Sequence, residues 1–73
     1  MRISARNIFE GTVRSIRDGA VNAEVVIQIA GGQQVVAMVT LDSVRELGLQ
    51  PGRRVYAVVK ASDVLVGVDH STP

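Results

Sequence analysis

The stretch "IFEGTVRSIRDGAVNAEVVIQI", residues 8–29, decides the fold. β-branched residues recur in rough alternation over 8–17 and again over 20–29. That pattern reads as two strands. Asp18-Gly19 between them is a strong hairpin signal, because a type I′ turn requires positive φ at both central positions. Gly31-Gly32 then supplies a second tight turn, and "QQVVAMVT" (33–40) reads as a third strand. The three strands form an antiparallel meander.

The period changes after Thr40. Leu41, Val44 and Leu47 fall on helical spacing. Ser43 and Glu46 have the spacing of a capping box, and Gly48 suits the position just past a helix end. "QPGR" (50–53) is a turn in which Pro presets φ and Gly takes a positive φ. "RVYAVVK" (54–60) is a fourth strand and "VLVGV" (64–68) a fifth, with Ala61-Ser62-Asp63 between them. Three strands, a short helix and two more strands predict an all-β domain. It is an OB-like five-stranded antiparallel barrel with the helix between strands 3 and 4. The whole chain, 1–73, reads as one domain, with 69–73 a flexible tail.

A chain of 73 residues buries only about 60% of its unfolded surface, so its own core is marginal. There is no cysteine and a single histidine, His70, which argues against disulfides and a thiolate or imidazole metal site. Association with copies of itself remains as the source of stability, and the 47% hydrophobic content fits it. Eight Lys and Arg against seven Asp and Glu do not form a nucleic-acid footprint. Phe9 and Tyr56 are the only aromatics, too few for base stacking. No apolar run approaches the ~20 residues that span a bilayer, and the first residues do not read as an export signal. The expectation is a cytoplasmic protein with no nucleic-acid or membrane partner.

Catalytic constellations are missing. Asp42, Glu46 and Asp63 sit where caps and turns account for them, and no phosphate-binding glycine loop is present. The expectation is therefore a binding protein and no enzyme. Polar donors are more informative. Ser4, Arg6, Thr40, Ser43, Lys60 and Ser62 offer N–H or O–H groups at three places. These are the approach to the first strand, the helix start and the loop after the fourth strand. Fully ionised tetrahedral dianions have only acceptors, so the matching pocket is made of donors. Each charge-assisted hydrogen bond there contributes roughly 1.5–3 kcal/mol. The plain alternative is that Ser43 caps a helix, Ser62 shapes a turn, and Arg6 and Lys60 are solvated surface charges.

The segments "ISARN" (3–7), "GAVNAEV" (19–25), "TLDSVRELGL" (40–49) and "GRRVYAVVKASDV" (52–64), with Gly67, resemble the molbindin (Mop) family of single TOBE-type domains. The resemblance runs from about Ile3 to Val68 and departs at neither "SARN" nor "KASDV". It implies an oxyanion ligand, molybdate with tungstate as analogue, held at subunit interfaces of a hexamer built as a trimer of dimers. It implies a main site of Ser4, Arg6, Thr40, Ser43 and Lys60 with the backbone around Ala61 and Ser62. A second oxyanion site falls around Gly19, Ala20, Val21 and Asn22. The role implied is intracellular molybdate storage or homeostasis; the alternative is a molybdate-sensing module of a transporter or transcription regulator.

Overall fold

A computed structural model describes residues 1–70. Four strands make one antiparallel sheet: β1 (Asn7–Asp18), β2 (Asn22–Ile29), β3 (Gln34–Thr40) and β4 (Arg54–Val59). Their spatial order is β3-β2-β1-β4. The helix α1 (Leu41–Glu46) lies between β3 and β4, where the sequence places it.

Strand alternation sets the two faces of the sheet. Ala23, Val25 and Ile27 of β2 are buried, and Val13 and Ala57 join them from β1 and β4. Val35 and Val39 of β3, Leu49 and Val55 pack around this core and stay half-buried. In β1 the register shifts between Val13 and Ser15. This bulge lets Val13 and Ile16 both face the core although they are three apart, and it curls the strand. Gly11 sits in the middle of β1, paired with Ile29 on one side and Val55 on the other. A Cβ there would lie 2.5 Å from the Gln28 carbonyl oxygen. Glycine is required at this point by close backbone approach.

Three local readings change. The Asp18-Gly19 turn is not type I′, because among the described residues only Gly31, Gly32, Gly48 and Gly52 have positive φ. The reversal instead runs over Ala20-Val21, closed by the Gly19 amide donating to the Asn22 carbonyl at 2.7 Å. Gly19 is small because a Cβ would come within 2.9 Å of that same carbonyl. The return strand accordingly begins at Asn22.

The helix starts one turn earlier than the capping-box reading places it. Thr40 is its N-cap, and its hydroxyl oxygen accepts from the Ser43 amide at 3.0 Å. At the other end the Gly48 amide donates to the Arg45 carbonyl and the Leu49 amide to Val44. This is a Schellman ending, with Gly48 at φ +62° as the sequence anticipates. Thr40→Ala is expected to cost about 1 kcal/mol in urea denaturation and Ser43→Ala less. The reverse order would return the cap to Ser43.

The largest difference is the fifth strand. Residues 64–68 pair with no strand, and the barrel stays half-open between the edges of β3 and β4. Leu65 and Val66 are more than 90% exposed. The sequence pattern shows a strand-forming segment, but a strand also needs a partner edge. Within this chain the segment meets none. Of the expected tail, Asp69 and His70 are exposed, and 71–73 lie outside the described residues.

Candidate functional site

The N-terminal segment and the segment after β4 come together because their neighbouring strands pair. Asn7 is opposite Val59 in the β1–β4 ladder, and its side-chain amide donates to the Val59 carbonyl at 3.2 Å. The chain on either side of this pair is thereby fixed face to face. Ser4 and Arg6 from one side, and Lys60, Ala61 and Ser62 from the other, line one cleft. Ala61–Asp63 form a single 3-10 turn, held by the Asp63 amide donating to the Lys60 carbonyl at 2.9 Å. Among the described residues neither Arg6 nor Lys60 enters an ion pair; the two pairs present are Asp42–Arg45 and Glu10–Arg54. Arg54 is held above its usual pKa by its hydrogen bond to Glu10 and lies away from the cleft.

Asp63 also lines the cleft, and reading the sequence as a set of donors missed it. Its carboxylate makes the cleft a mixed site with two cations and one anion, where donors alone were expected. The signal was present in "KASD", because a residue closing a one-turn 3-10 segment stays beside the residues that open it.

Thr40 and Ser43 are not in this cleft. They sit at the far end of β1, beside the turn formed by Gly19, Ala20, Val21 and Asn22. The Leu41 amide donates to the Val21 carbonyl at 2.9 Å, and Asn22 pairs with Thr40. The Thr40 hydroxyl donates to the Ser43 hydroxyl oxygen at 2.9 Å, which leaves the Ser43 O–H as the outward donor of the pair. The cleft is at the Asn7 end of β1 and this second cluster at the Asp18 end. Twelve residues of strand separate them, roughly 35 Å of contour. One copy cannot bring both clusters to the same small ion.

Among the described residues no group of three or more His, Cys, Asp or Glu could hold a metal cation. No helix among them is long and apolar enough to cross a membrane.

A strongly curled antiparallel sheet with one capped helix, carrying a cationic cleft where the segments flanking β1 and β4 meet, defines a small all-β half-barrel domain. The chain belongs to the TOBE domain family, whose model matches residues 3–66. It is 48% identical over 66 residues to molybdenum-pterin-binding protein 2 of Clostridium pasteurianum, covering 90% of this chain and 97% of that one. Its fold matches MopII of the same organism with a TM-score of 0.87 at 46% identity, over 92% of this chain and all of that one. It also matches the cytoplasmic molybdate-binding protein ModG, solved with molybdate bound, with a TM-score of 0.90 at 54% identity. That match covers 94% of this chain and 49% of ModG.

Proposed function

We propose that this chain binds molybdate, with tungstate as an analogue, and holds it in the cytoplasm for molybdate storage and homeostasis, without catalysis. The observation that carries this reading is the convergence of Ser4, Arg6, Lys60, Ala61 and Ser62 on one cleft. Arg6 offers a planar fork and Lys60 a point charge. The Ser4 and Ser62 hydroxyls and the backbone of the 3-10 turn add neutral donors around them. Support comes from the molybdate-bound ModG structure at 54% identity. The relative's name speaks of a molybdenum-pterin, but no aromatic side chain lines the cleft to stack on a pterin ring.

Thr40 and Ser43 enter the same site only if another copy supplies them, because they stand at the opposite end of β1. The site then lies between subunits of a homo-oligomer, with a hexamer built as a trimer of dimers as the assembly the family resemblance suggests. The Gly19 to Asn22 turn, beside Thr40, is the place for a second oxyanion site. Ligand that needs two copies stabilises the assembly by mass action. Sulfate and molybdate share charge and shape, so discrimination between them rests on size in a donor shell fixed by strand ends. Asp63 is an acceptor within the cleft, so rejection of a protonated oxyanion does not follow from the donor set.

Isothermal titration with sodium molybdate, with sulfate in excess, tests the reading. Tight binding that resists sulfate is expected. Lys60→Ala should weaken binding by about ten- to a hundredfold, the equivalent of one charge-assisted hydrogen bond. Arg14→Ala should not, because Arg14 donates to Gln28 on the sheet at 3.0 Å and is outside the cleft. Equal affinities in the two variants would remove the site assignment, and absence of any heat would remove the function.

A further inference from the structure

Asp63 is a charged group in the cleft that the oxyanion reading leaves without a task. It lines the same cleft as Ser4, Arg6, Lys60 and Ser62. The fold makes no use of its carboxylate. The residue is exposed, and it holds the 3-10 turn through its backbone, the amide donating to the Lys60 carbonyl at 2.9 Å. Among the described residues the carboxylate enters no ion pair and no hydrogen bond. Glu10 and Asp42 differ, being paired with Arg54 and Arg45. Asp63 stands three residues from Lys60 on a single turn and shares the cleft with Arg6, yet neither cation pairs with it. All three charges therefore remain free to act on a ligand.

Charge decides what Asp63 does there. Arg6 and Lys60 alone match the two charges of a fully ionised tetrahedral oxyanion. With Asp63 included, two cations less one anion leave the cleft at a net +1. One negative charge of the ligand is then uncompensated, and the carboxylate repels it. That repulsion scales with the charge on the ligand, whereas fit to the donor shell depends on size and shape.

We infer that Asp63 sets how firmly the cleft holds its ion: it opposes a doubly charged oxyanion, lowers the affinity and keeps the bound ion exchangeable. The inference rests on the cleft being the oxyanion site. It assigns Asp63 a role opposite in sign to that of Lys60, three residues before it. A singly charged ion of the same size feels half of this opposition, so Asp63 also narrows the preference for dianions over monoanions.

The test is titration calorimetry of the wild-type protein and Asp63→Asn with two tetrahedral ions of similar size, molybdate with two charges and perrhenate with one, at one ionic strength. Asn keeps the shape of Asp and removes its charge. For groups about 8 Å apart in a partly screened surface medium, loss of the charge tightens molybdate binding by about five- to thirtyfold. Perrhenate gains only the square root of that factor, about two- to fivefold, because its charge is half. Asp63→Ala brings no new donor and should show the same relation. Raising the salt should shrink the molybdate gain. Equal gains for the two ions would mean a change of shape or hydrogen bonding and overturn the proposal, as would unchanged or weaker molybdate binding in the variants. Those results leave the oxyanion reading standing if the wild-type protein binds molybdate. A wild-type protein that gives no heat with molybdate removes that reading and this inference with it.

Discussion

Lys60→Glu is expected to abolish molybdate binding, with affinity falling by more than about a thousandfold, beyond the range of titration calorimetry. Removing the ammonium group forfeits a charge-assisted hydrogen bond, which alone is about ten- to a hundredfold. The carboxylate then adds repulsion. Two unit charges 4 Å apart near a protein surface interact by about 4 kcal/mol, and the ligand carries two negative charges. Even halved by screening, that term exceeds the loss of the bond. The cleft already contains Asp63, so the substitution also turns its balance of two cations and one anion into one cation and two anions. Lys60 is exposed and follows the end of β4, so the fold should survive, with an unchanged circular dichroism spectrum and melting temperature in the absence of ligand. Retained affinity in a folded variant would mean that the oxyanion binds elsewhere, with the Gly19 to Asn22 turn as the next place to look.

The cleft exists for a physical reason. Its two halves flank β1 and β4, which the structure pairs and so brings Ser4 and Arg6 to Lys60; from the sequence this grouping came through the family resemblance. Alternation of apolar residues was enough to find those strands. It was not enough to say where the Thr40 and Ser43 pair would go, because that depends on which end of β1 each cluster occupies. The meander fixes this: three antiparallel passes put the end of β3 at the Asp18 end, and the return of β4 puts Lys60 at the other.

The misreadings share a cause. Thr40 and Ser43 are both competent caps, and only the backbone decides between them; the β3 ladder runs through Thr40, so the helix begins directly after it. Asp18-Gly19 has the composition of a type I′ turn, yet the Leu41 amide bonds the Val21 carbonyl and draws the reversal two residues downstream. Residues 64–68 have the composition of a strand, but composition does not supply the partner edge that a strand needs. In the first two cases local propensity offered a choice and a contact outside the local stretch made it; in the third no partner edge is met and no strand forms.

Gly11→Ala is expected to be the most destabilising small substitution in the chain. On propensity alone it should help, since alanine in a strand interior is better than glycine by roughly 0.5–1 kcal/mol. Crowding reverses the sign. The added methyl would meet the Gln28 carbonyl oxygen at 2.5 Å and the Ile27 Cγ2 at 2.9 Å. Gln28 cannot move aside cheaply, because it pairs with Thr12 on one side and Gln34 on the other. The clash falls where β1 carries both of its neighbours, so relief means parting β1 from β2. Overpacking of this kind costs about 1–3 kcal/mol, occasionally more. A domain of this size has a total stability of only about 4–11 kcal/mol. At about 4–8 °C per kcal/mol, a net loss near 2 kcal/mol lowers the melting temperature by roughly 8–16 °C. Gly67→Ala is the control, because Gly67 has no positive φ and no neighbour within 4 Å of a built Cβ. The two variants should be compared at one protein concentration, since association contributes to apparent stability. Equal melting temperatures would show that the sheet relaxes around the methyl, and that the curl of β1 is set by the bulge at Arg14 and not by the close approach at Gly11.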